Sequence, residues 1–332
     1  MSEHLLEIND LKVSFFTPAG EVKAVNGVTY DLDEGRVLGI VGESGSGKSV
    51  SVSALMQLLV FPGRVVGGSI TFEGKDILAM NENEIQAIRG KDIGMIFQDP
   101  MTSLNPVFTI GEQLIETLKR HTDLNRKEAW DRSVEMLRLV GINNPEQRMK
   151  QYPHEFSGGM RQRAMIAMTL LCNPKLLIAD EPTTALDVTI QAQILELMRE
   201  LRQKINAAII LITHDLGIVS DICDEVIVMY AGRIVERGSI DDIFYRPAHP
   251  YTQGLLRCIP RLDSDGSKPL EPIEGTPVDL LALPKGCAFA PRCEKCMRVC
   301  LSEQPPTFTM GEGHTSSCWL HAIEQGEEAG TP

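Results

Sequence analysis

The octapeptide Gly42-Glu43-Ser44-Gly45-Ser46-Gly47-Lys48-Ser49 constrains this chain more than any other feature. It fits the pattern G-x-x-x-x-G-K-[ST], follows the apolar run Val37 to Val41 and precedes a stretch with helical spacing. Strand, glycine loop and helix in that order aim backbone N–H groups at an anion, at the positive end of the helix. Lys48 then reaches the β- and γ-phosphates of a nucleotide, and the Ser49 hydroxyl takes a Mg²⁺ position. Gly42, Ser44, Gly45, Ser46, Gly47 and Val50 line the same loop and the start of its helix.

A second motif lies far downstream. The apolar run Leu176 to Ala179 ends in Asp180-Glu181, which sets two carboxylates at the C-terminal end of an expected parallel strand, where α/β folds place their ligands. Asp180 suits a Mg²⁺ contact and Glu181 suits polarising an attacking water. Phosphoryl transfer needs little beyond positioning and charge stabilisation, so loop, lysine, metal and water-orienting base form a sufficient set.

The pattern around these motifs is α/β. Short apolar runs broken by Gly and Asp fill the first hundred residues, helical spacing holds from about Ile110 to Leu171, and strand-like runs return at Ala208 to Ile212 and Val226 to Met229, with a helical segment over Ile190 to Ile205. Strands separated by helices imply crossovers and a mostly parallel sheet. We expect a nucleotide-binding domain over 1–245, its helical part at about 100–172, and a Pro- and Gly-rich tail over 246–332.

A net charge of −13 disfavours a nucleic-acid partner held by many Lys and Arg. Apolar runs fall far short of the roughly 20 residues needed to cross a bilayer, and Met1 to His4 begin nothing like a secretory signal. The expectation is a cytoplasmic chain that meets a membrane only through partner proteins.

Between the two motifs stands Phe156-Ser157-Gly158-Gly159-Met160-Arg161-Gln162-Arg163. It resembles the signature motif of ATP-binding cassette proteins, with Phe and Met where Leu and Gln are usual. Ser157 can cap a helix while the two glycines expose N–H groups, a second anion site. The resemblance implies a P-loop ATPase with a RecA-like, mostly parallel sheet, an antiparallel β subdomain and an α-helical subdomain. It implies that Gln98 touches Mg²⁺ and relays to membrane subunits. Asp187, in Ala185-Leu186-Asp187, would cross a dimer interface, His214 would be the switch histidine and Phe15 would stack on adenine. Two cassettes would meet head to tail, the Ser157-Gly158-Gly159 of one completing the ATP site of the other, and closure would be the power stroke. Soluble ATPases of this type that act on ribosomes or DNA ends usually carry two cassettes or a long coiled coil, and this sequence has neither.

Tyr152-Pro153-His154-Glu155, the stretch Asp180 to Ile194 and Arg246-Pro247-Ala248-His249-Pro250-Tyr251-Thr252 narrow the resemblance to the ATPase subunits of bacterial oligopeptide and dipeptide importers, over nearly the whole chain. Leu283-Pro284-Lys285-Gly286-Cys287 and Pro260-Arg261-Leu262-Asp263 look like the D-type oligopeptide subunit, with nickel and glutathione importers as neighbouring branches. The resemblance implies a second, different ATPase subunit in a heterodimer, two permease subunits, an extracytoplasmic peptide-binding protein, and a peripheral seat on the cytoplasmic face of the inner membrane.

Five of the eight cysteines lie between Cys287 and Cys318, in a weakly periodic segment that has little apolar sequence to hold its shape. A metal would supply that stability. From spacing, Cys293-x-x-Cys296 suggests a zinc knuckle helped by His314 or His321, and reduced cysteines without metal are the third option. The family resemblance implies instead a [4Fe–4S] cluster on Cys287, Cys293, Cys300 and Cys318, with Cys296 outside the pattern. On either count the tail, distant along the chain from Lys48 and Glu181, is expected to have a structural and not a catalytic role.

Overall fold

Runs that are apolar at every position form strands buried on both faces, and alternating runs form strands with one face in water. In a computed structural model, residues 4–99, 103–183, 188–204, 207–258 and 272–324 are described. The strands are β1 (Leu6–Thr17), β2 (Gly20–Leu32), β3 (Val37–Val41), β4 (Gly63–Phe72), β5 (Lys75–Asp76), β6 (Ile93–Ile96), β7 (Leu176–Asp180), β8 (Ala208–Thr213), β9 (Glu225–Tyr230), β10 (Arg233–Ser239), β11 (Phe308–Gly311) and β12 (His314–Ser316). The helices are α1 (Lys48–Leu55), α2 (Glu82–Ile88), α3 (Ile110–His121), α4 (Arg126–Leu139), α5 (Pro145–Arg148), α6 (Gly158–Leu170), α7 (Val188–Lys204), α8 (Leu216–Ile222), α9 (Ile240–Tyr245), α10 (Pro250–Arg257), α11 (Arg298–Ser302) and α12 (Leu320–Glu324).

The chain divides into two compact units, one of residues 1–32, 37–78 and 213–332, the other of 33–36 and 79–212. The first unit holds an antiparallel sheet in the order β2-β1-β4-β5 and a second set of strands in the order β11-β12-β10-β9-β3. Strands β3 and β9 run parallel, Ile40 opposite Ile227, and every residue of β3 is buried. Strands β9 and β10 form a hairpin whose turn, Ala231-Gly232, has positive φ at both residues (49° and 77°), the geometry that matches the right-handed twist of the flanking strands. The tail hairpin β11-β12 adds to this sheet, since β12 pairs antiparallel with β10, Glu236 opposite Ser316. Helix α1 packs on β1, β2 and β4, over a core that includes Leu6, Ile8, Leu11, Ile70 and Phe72.

The second unit has three parallel strands in the order β8-β7-β6, each buried throughout. Three of its helices begin with a capping box. Asn81 with Glu84, Thr109 with Glu112 and Asn125 with Glu128 satisfy the first backbone N–H groups of α2, α3 and α4. Helix α3 buries Ile110, Leu114 and Leu118, four residues apart, and packs with α4 and α6. The expected helical stretch from Ile110 to Leu171 is therefore present as α3 to α6. The α/β class with antiparallel and helical parts agrees with the sequence. Among the described residues no helix is long and apolar enough to cross a membrane.

Candidate functional site

The phosphate loop is shaped by contacts that leave no room for side chains at two of its glycines. Gly42 leaves β3 with φ 148°, and a Cβ there would run into the Met229 carbonyl oxygen. Gly47 caps α1 with φ 99°, and a Cβ there would strike the Ala24 carbonyl oxygen. The loop is tied to the β9–β10 turn, where the Gly232 N–H donates to Ser46 O at 2.9 Å. Lys48 is 4% exposed, and its Nζ donates to Gly42 O at 2.7 Å and Glu43 O at 2.9 Å. A buried ammonium turned into the loop, with Ser44 and Gly45 exposed at its crest, suits the phosphates of a nucleotide. Ser49 and Val50 are half-buried on the first turn of α1.

Phe15 lies in the same unit as this loop. It is half-buried, opposite Gly63 in the β1–β4 pairing, and a Cβ on Gly63 would meet its Cε1 at 2.6 Å. The neighbouring Phe16 is 40% exposed and has the Arg64 guanidinium 4.1 Å from its ring centre. The sequence reading passed over that ring. His214, also in this unit, is exposed just past the end of β8.

In the second unit the parallel pairing of β6 with β7, Ile96 opposite Ala179, brings two distant residues together. Gln98 Nε2 donates to Glu181 Oε2 at 3.0 Å across 83 residues of sequence. Asp180, 8% exposed, closes β7 beside them. Glu181 holds φ 47°, a left-handed backbone that costs a residue with a Cβ about 1–3 kcal/mol and tends to persist where function needs it. Its N–H donates to Ile212 O at 2.9 Å, so the adjoining strand holds the bend.

The signature segment lies in this unit too. Ser157 caps α6, its hydroxyl accepting the Met160 N–H at 3.3 Å. A Cβ on Gly158 would meet nothing within 4 Å, whereas one on Gly159 would crowd Ile190 at 2.8 Å. Phe156, where Leu is usual, is 2% exposed and serves as core. A residue that sequence reasoning missed lies one turn on. Gln162 is 1% exposed and its Nε2 donates to Pro182 O at 2.6 Å, which ties the signature helix to the peptide after Glu181. Its place beside the Ser-Gly-Gly was the only clue, and nothing in the spacing points to Pro182. Asp187 lies outside the described residues, as do Ala185-Leu186 and Pro260 to Asp263.

The expected [4Fe–4S] cluster on Cys287, Cys293, Cys300 and Cys318 is overturned, and the zinc alternative with it. Among the described residues no group of three or more His, Cys, Asp or Glu side chains could hold a metal ion, and these cysteines are free thiols. The premise was that the tail lacks a core, and it has one. Phe289 is 3% exposed and packs at 5.3 Å from the rings of both Tyr230 and Tyr251. Glu236, fully buried, accepts the Ala248 and His249 N–H groups at 2.7 and 2.9 Å and lies 2.9 Å from His314 Nε2. Cys300 and Cys318, each 8% exposed, behave as small apolar side chains in this packing. Burial pushes the Cys287 thiol up to about 11 and the Cys318 thiol up to about 12.

The ABC transporter family model matches residues 25–184, and that of the oligopeptide/dipeptide transporter C-terminal region matches 235–300. The chain is 57% identical to the oligopeptide transport ATP-binding protein OppD of Bacillus subtilis, over 95% of this chain and 88% of that protein. It is equally identical to OppD of Salmonella typhimurium over 95% and 93% of the two chains, and 52% identical to the dipeptide transport ATP-binding protein DppD of Bacillus subtilis over 98% and 99%. Among solved structures, a dimeric ATP-binding cassette bound to ADP and phosphate superposes with TM-score 0.64 at 24% identity, over 71% of this chain and 98% of that one, which shows the fold. A cassette from Clostridium perfringens, part of an ABC transporter complex, does so with TM-score 0.62 at 28% identity, over 74% and 92%. With both family models matched and half or more of the residues shared along nearly the whole length, the chain belongs to the ATP-binding proteins of the oligopeptide and dipeptide ABC transporters.

Proposed function

We propose that this chain binds and hydrolyses ATP to energise the import of oligopeptides or dipeptides across the bacterial plasma membrane. The observation that carries the hydrolytic part is the 3.0 Å hydrogen bond from Gln98 to Glu181, beside Asp180. A carboxylate held there by an amide can orient a water and take its proton as attack develops. Lys48 and the loop from Gly42 to Val50 hold the phosphates, Phe15 takes the adenine, and His214 senses the γ-phosphate. Mg²⁺, when bound, would stabilise charge on the transferring phosphoryl group, and the family pattern assigns it to Ser49, Gln98 and Asp180.

Ser157, Gly158 and Gly159 complete the ATP site of a second cassette, with Asp187 at that interface. The second cassette is a different ATPase subunit, and the pair works with two permease subunits and an extracytoplasmic peptide-binding protein. Residues 1–245 form the nucleotide-binding domain and 246–332 the tail. The chain sits peripherally on the cytoplasmic face of the membrane. The names of its relatives, oligopeptide and dipeptide transport ATP-binding proteins, support the substrate class. Affinity purification of the tagged chain from native membranes should recover two permeases and a second cassette, and vesicles holding that assembly should take up peptide only with ATP. Recovery without permeases, or uptake indifferent to ATP, would sink the proposal.

A further inference from the structure

Two groups of the tail take hold of one residue of the phosphate loop, Glu43. The Arg292 guanidinium donates from Nη1 to Glu43 Oε2 at 2.6 Å and from Nη2 to Glu43 Oε1 at 3.0 Å, a two-pronged ion pair. Arg292 is only 4% exposed at its side chain, and its remaining donors go to Glu274 O (Nε, 3.0 Å), Ile273 O (Nη2, 3.3 Å) and the Tyr230 hydroxyl (Nη1, 3.5 Å), so the fork has little freedom to turn away. The Tyr251 hydroxyl accepts the Glu43 backbone N–H at 2.8 Å, and Tyr251 is fully buried, its ring 4.7 Å from that of Tyr230. Backbone and side chain of Glu43 are thus both anchored to residues more than 200 positions away.

Glu43 is also a support of the loop itself. Its carbonyl accepts Lys48 Nζ at 2.9 Å and the Ser46 N–H at 3.2 Å, and it directly follows Gly42, pressed against Met229. A loop already held in its binding shape pays less ordering cost when ligand arrives. Glue between tail and sheet would need no contact at this residue, since the β10–β12 pairing and the Glu236 hydrogen bonds already join them.

We propose that Arg292 and Tyr251 are positioning residues of the ATP site, acting through Glu43, so that the folded tail sets the affinity of the phosphate loop for nucleotide. The inference rests on the reading that residues 42–49 hold ATP. The full chain and its Arg292→Gln, Glu43→Gln, double and Tyr251→Phe variants are titrated with Mg-ATP by calorimetry, and thermal midpoints are measured without nucleotide.

Arg292→Gln should raise the Kd for ATP on the order of tenfold or more, as loss of positioning does. Glu43→Gln should raise it by a similar factor, and the double variant no further, because both changes remove one contact. Tyr251→Phe keeps the ring packing and should weaken ATP binding with its midpoint near that of the unaltered chain. Arg292→Lys, with charge but one prong, should restore part of the affinity. Kd values within about twofold of the unaltered chain in both single variants, or a double variant whose loss is the product of the singles, would overturn the proposal. If Arg292→Gln fails to fold, Tyr251→Phe and Glu43→Gln decide by the same twofold criterion. No ATP binding by the unaltered chain would instead overturn the reading of the loop, and this proposal with it.

Discussion

Glu181→Gln changes one oxygen for one amide nitrogen at the end of β7 and should separate binding from turnover. The amide oxygen of Gln can still accept from Gln98 Nε2, so the contact now 3.0 Å long survives. The backbone is unaltered in demand, because Gln at φ 47° carries the same Cβ as Glu. Stability and ATP affinity should therefore stay near those of the unaltered chain. What goes is the carboxylate proposed to take a proton from water. Removing one such group lowers turnover on the order of a thousandfold, about 4 kcal/mol at about 1.4 kcal/mol per factor of ten. The assay is single-site phosphate release in the assembled complex, with ATP binding measured on the same sample. Gel filtration in ATP should also show a trapped dimer. Unchanged phosphate release at this site would refute the role of Glu181, and lost ATP binding would show that its carboxylate holds the loop or the nucleotide instead.

Gln162→Leu leaves the Pro182 carbonyl without the donor now at 2.6 Å and should cost about 1–3 kcal/mol in urea unfolding, with turnover falling more than ATP affinity. Gly42→Ala places a methyl against the Met229 carbonyl at φ 148° and should abolish ATP binding by calorimetry, whereas Gly45→Ala, strained at φ 78° but with no atom within 4 Å of its Cβ, should weaken binding less. His249 is buried and its pKa is lowered to about 3, first by burial and then by His321. Since the unfolded chain binds that proton from about pH 6.5, the stability contribution is present above that pH and is lost as pH falls toward about 3. His249→Asn should flatten the unfolding free energy over that window, and an unchanged acid slope would show that other groups dominate it.

Local order was legible from the residues alone. A glycine loop after an apolar strand, an acidic pair after another, a Ser-Gly-Gly at a helix start and four-residue apolar spacing in α3 are each properties of short segments, and near-neighbour chemistry decides them. Segment contents also point to the α/β class, since short runs apolar at every position, bounded by Gly and Asp, suit strands covered on both faces.

Contacts between distant segments were decided by the fold. Strand pairing brings Gln98 to Glu181, and nothing near either residue announces the other. Gln162 meets Pro182 because the signature helix packs there, and a buried Gln looks like any other in sequence. The tail shows the same limit most clearly. Weak periodicity around the cysteines suggested a segment that needs metal, yet its few aromatic residues find Tyr230 on β9, and its hairpin borrows β10 as a partner. Apolar burial is a property of the assembled surface, so a segment poor in apolar residues can share a core whose other half is supplied by sequence far away. Arg292 and Glu43, 249 residues apart, become one ion pair for the same reason: distance along the chain sets no distance in space once β9 and β10 have turned the tail back toward the phosphate loop.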